Sequence, residues 1–363
     1  MYVSLHFSPL SRGEATDLET IDVLVEQVLR ADAAGVSAIC LTEHHLGGFN
    51  TYCDPFLLAS YLAGKLEQAY LAIHIVQVPL RHPVQMVEHC NILDVLTRGR
   101  CMIALAPGSP RQIELDAYGV SLEDRPERTR QKIDAMLRAW GWRDGDAPVD
   151  VSTDFDSGVV AGRVSPTSYR KPHPLIGRAT MTPATIVDTA KLGLPAILAL
   201  PDGEQATLYK DALESAGHSE ATNADCLSWL GFLEFVCLAE TEQAAHDRLG
   251  RFLEEGGVGP IVTAANEGDQ LWIEEWKMRQ SIWAQVGVPV TPELLAERML
   301  GYKDLGVDHA RVALATVPGD HARNMESFEL FIEQVLPQLE PEPLPDPTHT
   351  VLSSPETAAA SQT

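Results

Sequence analysis

The chain of 363 residues has 45% hydrophobic and 21% charged residues, the composition of an ordinary globular protein with ample core-forming material. Its formal net charge of −24 argues against nucleic acid or an anionic membrane surface as a partner, because both would be repelled. The six cysteines lie far apart, and neither a leader-like start nor an apolar stretch of membrane length occurs, so we expect a cytoplasmic protein with reduced thiols.

Short apolar runs and amphipathic stretches alternate along most of the chain. The run at residues 2–7 predicts a strand, and the stripe formed by Ile21, Leu24 and Val28 predicts the helix that follows it. The same alternation then repeats. The eight predicted strands cover residues 2–7, 37–41, 71–78, 101–106, 174–177, 196–200, 229–238 and 309–315.

Eight strand–helix units of this size predict an α/β protein with a (β/α)8 TIM barrel, formed by a single domain over residues 1–338. Longer segments follow strands 4 and 7, so we expect insertions there. A doubly wound open sheet is the alternative, but no Gly-x-Gly-x-x-Gly dinucleotide fingerprint follows the first strand. Residues 339–363 are rich in Pro, Ser, Thr and Ala, which predicts a disordered tail.

Three ionisable residues, Glu43, His44 and His45, directly follow the second predicted strand. In a barrel of this type the chemistry is built at the carboxyl ends of the strands. Because successive strand residues face opposite sides, one imidazole should aim into the barrel mouth, where it would donate or accept a proton near neutral pH. Glu43 would fix its tautomer or contact a ligand. The alternative is a strand-terminal cluster satisfied by backbone and water.

A helix start after the fifth predicted strand is a second candidate feature. Thr182 before Pro183 combines a hydroxyl N-cap with a proline in the first helical turn. The free N–H groups of such a helix start form an anion site, to which Thr182 and Thr185 would add donors, although the signature also fits a plain capped helix. Arg125 or Arg128 would neutralise a phosphate there, or would instead pair with neighbouring carboxylates at the surface.

Two further features bear on a site. His74 interrupts an apolar strand, so it is either a hydrogen-bonded core histidine or a residue that faces the barrel lumen. Residues 256–289 are irregular in pattern and hold three tryptophans, which predicts either a lid over the mouth or a surface excursion or dimer contact.

Seven short motifs occur in order over residues 1 to about 338. They are Glu43-His44-His45, Pro55-Phe56-Leu57-Leu58-Ala59, Pro79-Leu80-Arg81-His82-Pro83, Leu93-Asp94-Val95-Leu96-Thr97-Arg98-Gly99-Arg100, Tyr118-Gly119-Val120, Gly193-Leu194-Pro195 and Val335-Leu336-Pro337. Each motif alone is weak. Together they make the chain resemble the luciferase-like flavin monooxygenases, and they are specific for that superfamily but not for a substrate.

This resemblance implies a (β/α)8 barrel, usually dimeric, that binds reduced flavin mononucleotide (FMN) supplied by a separate flavin reductase. It implies an oxidoreductase that uses O2 as co-substrate and oxygenates a small, largely apolar organic molecule. His44 matches the family histidine implicated near the flavin as an acid or base, and Glu43 is its neighbour.

The resemblance also implies cofactor-binding positions. The strand around His74 and Ile75 matches the place where the backbone, often through a non-proline cis peptide, supports the isoalloxazine ring. Met181, Thr182 and Thr185 match the phosphate-binding helix start, which agrees with the capping argument.

Two residues after the fourth strand depart from the family pattern. Pro107 stands where relatives carry a basic residue that can reach the phosphate, and Ala106 stands where bacterial luciferase has a cysteine near the reactive flavin carbon. The departures argue against strong light emission and against the usual phosphate clamp. Ala106 and Pro107 remain predicted cofactor-binding positions, and Arg125 or Arg128 would compensate for the missing cation.

Three other functions stay open at this point. One is hydride transfer with the deazaflavin F420. Another is a metal-dependent hydrolase that uses His6, His44 and His45, although no His-x-His pair and no carboxylate at the end of strand eight support it. The third is a catalytically silent luciferase-like subunit, which the Pro107 departure would fit.

Overall fold

The computed structural model describes residues 1–11, 14–46, 50–180, 182–198, 202–254, 287–316 and 320–347. Within these residues the chain alternates strands and helices, as the sequence predicts. The strands are β1 (Tyr2–Phe7), β2 (Ala38–Leu41), β3 (Tyr70–Gln77), β4 (Cys101–Ala106), β5 (Val149–Asp150), β6 (Val159–Val160), β7 (Ile176–Thr180), β8 (Ala196–Leu198), β9 (Gly231–Leu238), β10 (Gly287–Val290) and β11 (His309–Leu314).

Eight parallel strands close into a barrel in the order β1, β2, β3, β4, β7, β8, β9 and β11. The ring closes because β11 pairs with β1, and Ile197 of β8 pairs with Gly231 of β9. The predicted (β/α)8 barrel is therefore confirmed. Strand β10 pairs with the last residues of β9, and β5 and β6 form a separate antiparallel hairpin.

Helices follow the barrel strands and cover the outside. Among the described residues, none of them is both long enough and apolar enough to cross a membrane. The helices are α1 (Glu14–Ala33), α2 (Pro55–Ala63), α3 (Pro83–Thr97), α4 (Gln112–Tyr118), α5 (Arg125–Gly141), α6 (Pro183–Lys191), α7 (Gly203–Ala216), α8 (Glu220–Ser228), α9 (Glu242–Glu254), α10 (Pro292–Leu300), α11 (His321–Leu330) and α12 (Leu336–Leu339).

Alternation along the strands divides the core into two layers. Leu5, Ile39 and Ile103 face outward and are fully buried in the main cluster between strands and helices. Cys40 and Ala104, on the opposite face of their strands, belong to a second cluster inside the barrel. The same alternation directs the even-numbered polar residues of β1 and β3 into the lumen.

The insertions fall where the sequence predicts them. Residues 107–175, after β4, contain α4, α5 and the β5–β6 hairpin. The second insertion follows β9 and α9, and residues 255–286 of it lie outside the described residues, as does nearly all of the predicted lid. Residues 287–289, which we assigned to that irregular segment, instead begin strand β10, where backbone pairing to β9 decides the conformation.

The amino-terminal end of the barrel is covered by residues 340–347. Tyr70 Oη donates to the carbonyl of Pro345 (2.5 Å), and Ser37 Oγ donates to that of Glu342 (2.6 Å). Leu344 is 5% exposed and packs into the lumen cluster. The prediction of a disordered tail from residue 339 is therefore wrong for residues 339–347, because apolar anchors within a polar composition hold them. Residues 348–363 lie outside the described residues.

Candidate active site

The carboxyl ends of β2 and β3 are joined by the buried carboxylate of Glu43. Its Oε2 accepts a hydrogen bond from the Gln77 backbone N–H (2.6 Å). Its Oε1 accepts from Arg81 Nη2 (2.6 Å) and lies 2.8 Å from His45 Nε2. Because Glu43 is only 1% exposed, these contacts occupy a carboxylate that water does not reach.

A second buried carboxylate, Glu114 of α4, lies beside the first. Its oxygens accept from the His45 backbone N–H (2.6 Å), Arg111 Nη1 (2.7 Å) and Gln77 Nε2 (3.0 Å). Burial alone would raise the pKa of Glu114, but hydrogen bonding and charge from His44, with Arg111 and Gln77, outweigh it and lower the pKa to about 2. Glu114 is therefore ionised at neutral pH. We call Glu43, Glu114, Gln77, Arg81, Arg111 and His45 the mouth network.

Gln77 connects this network to the loop after β4. Its side chain donates to the Glu43 carbonyl (3.2 Å), and its Oε1 accepts from the Ser109 N–H (3.2 Å). Gly108 has φ +80°, and a Cβ there would collide with Gln77 Oε1. Glycine at this position thus permits the loop to approach the end of β3 closely.

The two adjacent imidazoles differ in environment, as strand alternation predicts. The His45 side chain is 10% exposed and lies between Glu43 and the Tyr118 hydroxyl, 3.2 Å from its Nδ1. The His44 side chain is 29% exposed, and its Nδ1 lies 3.4 Å from Glu114 Oε1. The carboxylate that orients His44 is thus Glu114. Glu43, which we expected to serve this imidazole, binds His45 instead.

The predicted arginines separate. Arg125 Nη1 donates to the Gly108 carbonyl (2.7 Å), so its guanidinium lies at the loop that follows Ala106 and Pro107. Ala106 is the last residue of β4 and is 5% exposed, and Pro107 is half-buried beside it. Arg128 instead lies over the ring of Phe155, 4.2 Å from its centroid.

The predicted helix start is present. Thr182 is the N-cap of α6: its Oγ1 accepts from the Thr185 N–H (3.3 Å), and Thr185 Oγ1 accepts from the Thr182 N–H (3.2 Å). This reciprocal arrangement is a capping box, with Pro183 at the first helical position. Met181 lies outside the described residues.

His74 fits both interpretations that the sequence left open, a hydrogen-bonded core histidine and a residue that faces the barrel lumen. It is 4% exposed and faces the lumen, and its Nδ1 lies 3.3 Å from His6 Nε2. The peptide bond between His74 and Ile75 is cis, as the resemblance implies. Within the described residues, the group with metal-ligand spacing is His6, Cys40 and His74, so the set of His6, His44 and His45 that the alternative hydrolase would need does not come together.

Five residues of this region were not identified from the sequence. Gln77, Arg111 and Glu114 carry no local signal, because a polar residue at a strand end, beside a helix start or in an amphipathic helix is ordinary. Arg81 was part of a motif but had no assigned partner. Arg311 is a basic residue inside an apolar strand, the same signal that selected His74, and that signal would have found it.

A closed barrel with paired carboxylates and an accessible imidazole at its mouth defines the class of (β/α)8-barrel enzymes that work at the carboxyl ends of their strands. A family model described as luciferase-like monooxygenase matches residues 1–309. The chain therefore belongs to the luciferase-like monooxygenase family, as its motifs indicate.

Relatives at the level of sequence are distant. The alkanal monooxygenase alpha chain of the Kryptophanaron alfredi symbiont is 25% identical over 218 residues, which is 58% of this chain and 59% of that protein. The aligned segments span only 55%, 59% and 65% of the first three curated relatives.

Solved structures match over almost the whole chain and support the fold. The monooxygenase RslO1 of Streptomyces bottropensis superposes with a TM-score of 0.73 at 19% identity, covering 93% of this chain and 99% of that one. The oxygenating constituent of 3,6-diketocamphane monooxygenase of Pseudomonas putida, in complex with FMN, gives a TM-score of 0.65 at 17% identity, covering 93% and 98%.

Proposed function

We propose that this protein is an FMN-dependent monooxygenase that takes reduced FMN and O2 and oxygenates a small, largely apolar organic molecule. The observation that carries the proposal is the contrast at the barrel mouth: the mouth network is buried and internally paired, yet it leaves one imidazole, that of His44, accessible beside an ionised carboxylate. Membership of the luciferase-like monooxygenase family supports a flavin as the cofactor. The arrangement at the mouth adds a positioned acid or base.

The donors around the mouth fit FMN. A phosphate monoester is recognised by free N–H groups and hydroxyls at a helix start, and α6 begins with Thr182 and Thr185 after strand β7. Arg125, tied to the Gly108 carbonyl, is the cation that we assign to the phosphate in place of the basic residue missing at Pro107. The ring would lie against the strand at His74 and Ile75.

The residues of the chain control protons and water. Reduced FMN, when bound, supplies the electrons that activate O2. His44 would donate or accept the proton that accompanies oxygen transfer, and Glu114 would hold its Nδ1 side in place. Both carboxylate oxygens of Glu43 already accept hydrogen bonds within the mouth network. We therefore assign Glu43 a positioning role through His45 and Arg81 rather than a catalytic one.

One wall of the lumen favours an apolar substrate. Met102, Ala104 and Ile197 form one wall and carry no hydrogen-bonding side chain. Apolar surroundings also protect oxygen chemistry from stray water and protons. The substrate class therefore follows from the same property that the chemistry requires.

A homodimer and a flavin reductase complete the proposal. Apolar side chains on the outer faces of α2 and α3 are exposed, with Leu57 at 74%, Tyr61 at 55% and Leu96 at 49%, as expected for a surface that a second copy covers. A separate reductase would supply the reduced cofactor, because the described residues show no nicotinamide fingerprint of their own.

The test is an anaerobic titration of the purified chain with photoreduced FMN, followed by rapid mixing with O2. We expect saturable binding and an oxygen-dependent absorbance transient that free reduced FMN does not show. A parallel titration with deazaflavin F420 separates the two cofactors, and tight binding of F420 alone would overturn the proposal. Binding of no flavin at all would instead indicate a silent subunit.

A further inference from the structure

One wall of the barrel lumen is polar. Strands β11, β1, β2 and β3 lie side by side and direct hydrogen-bonding side chains inward. The opposite wall, from β4, β7 and β8, is lined by small and apolar side chains. We call the first group the polar wall; its members are Ser4, His6, Cys40, His74, His309 and Arg311.

Most groups of the polar wall satisfy one another. His309 Nδ1 lies 2.8 Å from the Ser228 carbonyl, which can only accept, so this nitrogen carries the proton. Burial and the charge of Arg311 lower the pKa of His309 to about 3, so the ring is neutral and its Nε2 is an acceptor. Ser4 Oγ, 2.6 Å away, therefore donates to it.

Arg311 is the exception. It is fully buried, and one of its nitrogens, Nη2, donates to the Gly231 carbonyl. Its Nε and Nη1 have no hydrogen-bond partner among the described residues, and neither has Nε2 of His74. No ion pair joins Arg311 to a carboxylate in the described part of the chain. A buried cation without a counterion is costly, so its presence calls for a function.

The neighbours of Arg311 cannot neutralise its charge. Burial, followed by the Arg311 charge, lowers the pKa of His6 to about 3, and the pKa of His74 is likewise lowered, first by burial. Burial raises the pKa of the Cys40 thiol to about 12. At neutral pH the two imidazoles and the thiol are therefore uncharged, and Arg311, whose own pKa falls by burial only to about 10, carries the single charge of the polar wall.

A metal ion is a poor match for this wall. His6, Cys40 and His74 place three ligand atoms within 4.8 Å of one another, which resembles a metal-ligand set. A cation there would meet the field of Arg311, which already disfavours a proton on His6 and on His74. The positive field of Arg311 therefore favours a negatively charged ligand over a metal ion.

We propose that Arg311 is an electrostatic positioning residue that makes the barrel prefer reduced over oxidised FMN. This inference rests on the proposed function. The reduced flavin ring carries a negative charge near neutral pH, whereas the oxidised ring is neutral, and charge near the ring is a means by which proteins tune flavins. The proposed ring position at His74 and Ile75 lies on the same wall. Because the lumen is buried and covered from below by Leu344, an uncompensated charge acts through it without direct contact.

The test measures two dissociation constants, for oxidised FMN and for photoreduced FMN under anaerobic conditions, in the full chain and in Arg311→Met and Arg311→Lys. We expect Arg311→Met to weaken binding of reduced FMN by roughly tenfold and to change binding of oxidised FMN by less than about twofold. Arg311→Lys, which keeps the charge, should retain the preference. Arg128→Met is the matched control, because that arginine stacks on Phe155 away from the polar wall, and it should leave the ratio unchanged.

The ratio of the two constants separates this inference from a structural role. Equal weakening of both oxidation states by Arg311→Met, or an unchanged ratio, would overturn the inference and leave the proposed function standing. Binding of neither state by the wild-type chain would overturn both. If Arg311→Met does not fold, Arg311→Gln replaces it, because the amide can still donate to the Gly231 carbonyl while the charge is lost.

Discussion

The mouth network and the polar wall of the lumen are neighbours built on opposite principles. In the mouth network, each of the two buried carboxylates is paired with a buried guanidinium group, and the Gln77 side chain connects Glu43 with Glu114. In the polar wall, the single charge of Arg311 has no counterion among the described residues. Paired buried charges fix geometry, whereas an unpaired buried charge exerts a field. We therefore assign the shape of the site to the mouth network, and the electrostatic effect on what binds there to the polar wall.

Breaking a pair in the mouth network should cause the largest change in stability. Glu114→Gln removes the charge that Arg111 and the His45 N–H meet in a buried position, and we expect a loss of about 3–5 kcal/mol in the free energy of unfolding. Urea unfolding followed by circular dichroism measures it. The control is Glu127→Gln, which removes the charge of an exposed partner of Arg130 and should leave the unfolding midpoint unchanged. An unchanged free energy of unfolding in Glu114→Gln would mean that the mouth network does not stabilise the fold.

Only part of the difference between the mouth network and the polar wall could be predicted from the sequence. Strands and helices were predictable because their periodicity is local, and His44, Thr182 and His74 stood out as polar residues at strand ends, at a helix start or inside an apolar run. The partner of His44 was not predictable. Glu114 reaches it from a helix far along the chain, and only closure of the barrel brings the two together.

Adjacent imidazoles allow a finer version of the comparison. His44→Asn should lower turnover by about 100-fold or more, the usual contribution of a positioned acid or base, with little effect on unfolding. His45→Asn should cost about 1–3 kcal/mol of stability, because it leaves the buried carboxylate of Glu43 without one of its partners. Single-turnover oxygenation and urea unfolding of both variants test the division. Equal kinetic effects would show that the mouth network itself carries the chemistry.

The two regions should also respond to different ranges of pH. His309 has a pKa of about 3 in the fold against an ordinary 6.5. Its contribution to the free energy of unfolding is therefore fully present above pH 6.5 and is lost as the pH falls, because acid protonates the unfolded chain preferentially. Between pH 6.5 and 4.5 this residue accounts for about 2 kcal/mol of lost stability, which His309→Gln should abolish. The contribution of Glu114 disappears only between its ordinary pKa of 4.5 and about 2. Unfolding free energies at several pH values should therefore show an unchanged upper slope in Glu114→Gln.

Removal of the unpaired charge should have the opposite sign to removal of a paired one. In the cofactor-free protein, Arg311→Met exchanges a desolvated guanidinium for an apolar side chain of similar length, at the expense of one hydrogen bond to Gly231. We expect stability to stay the same or to rise by about 1 kcal/mol. Chemical unfolding without flavin measures it. A loss as large as that predicted for Glu114→Gln would mean that Arg311 has a strong structural partner, and the contrast between the two regions would fail.

The smallest effect is expected at the helix start that we assign to the phosphate. Thr182→Ala removes the N-cap of α6 and should cost about 1 kcal/mol of stability, and Ser219→Ala, which removes the corresponding cap of α8, should cost about the same. Only Thr182→Ala should also weaken FMN binding, because α6 begins directly after the carboxyl end of a barrel strand, β7, whereas α8 follows another helix. Parallel unfolding and FMN titrations of the two variants make the distinction. Equal FMN affinities would reduce Thr182 to a plain cap, and the phosphate would then depend on Arg125 alone.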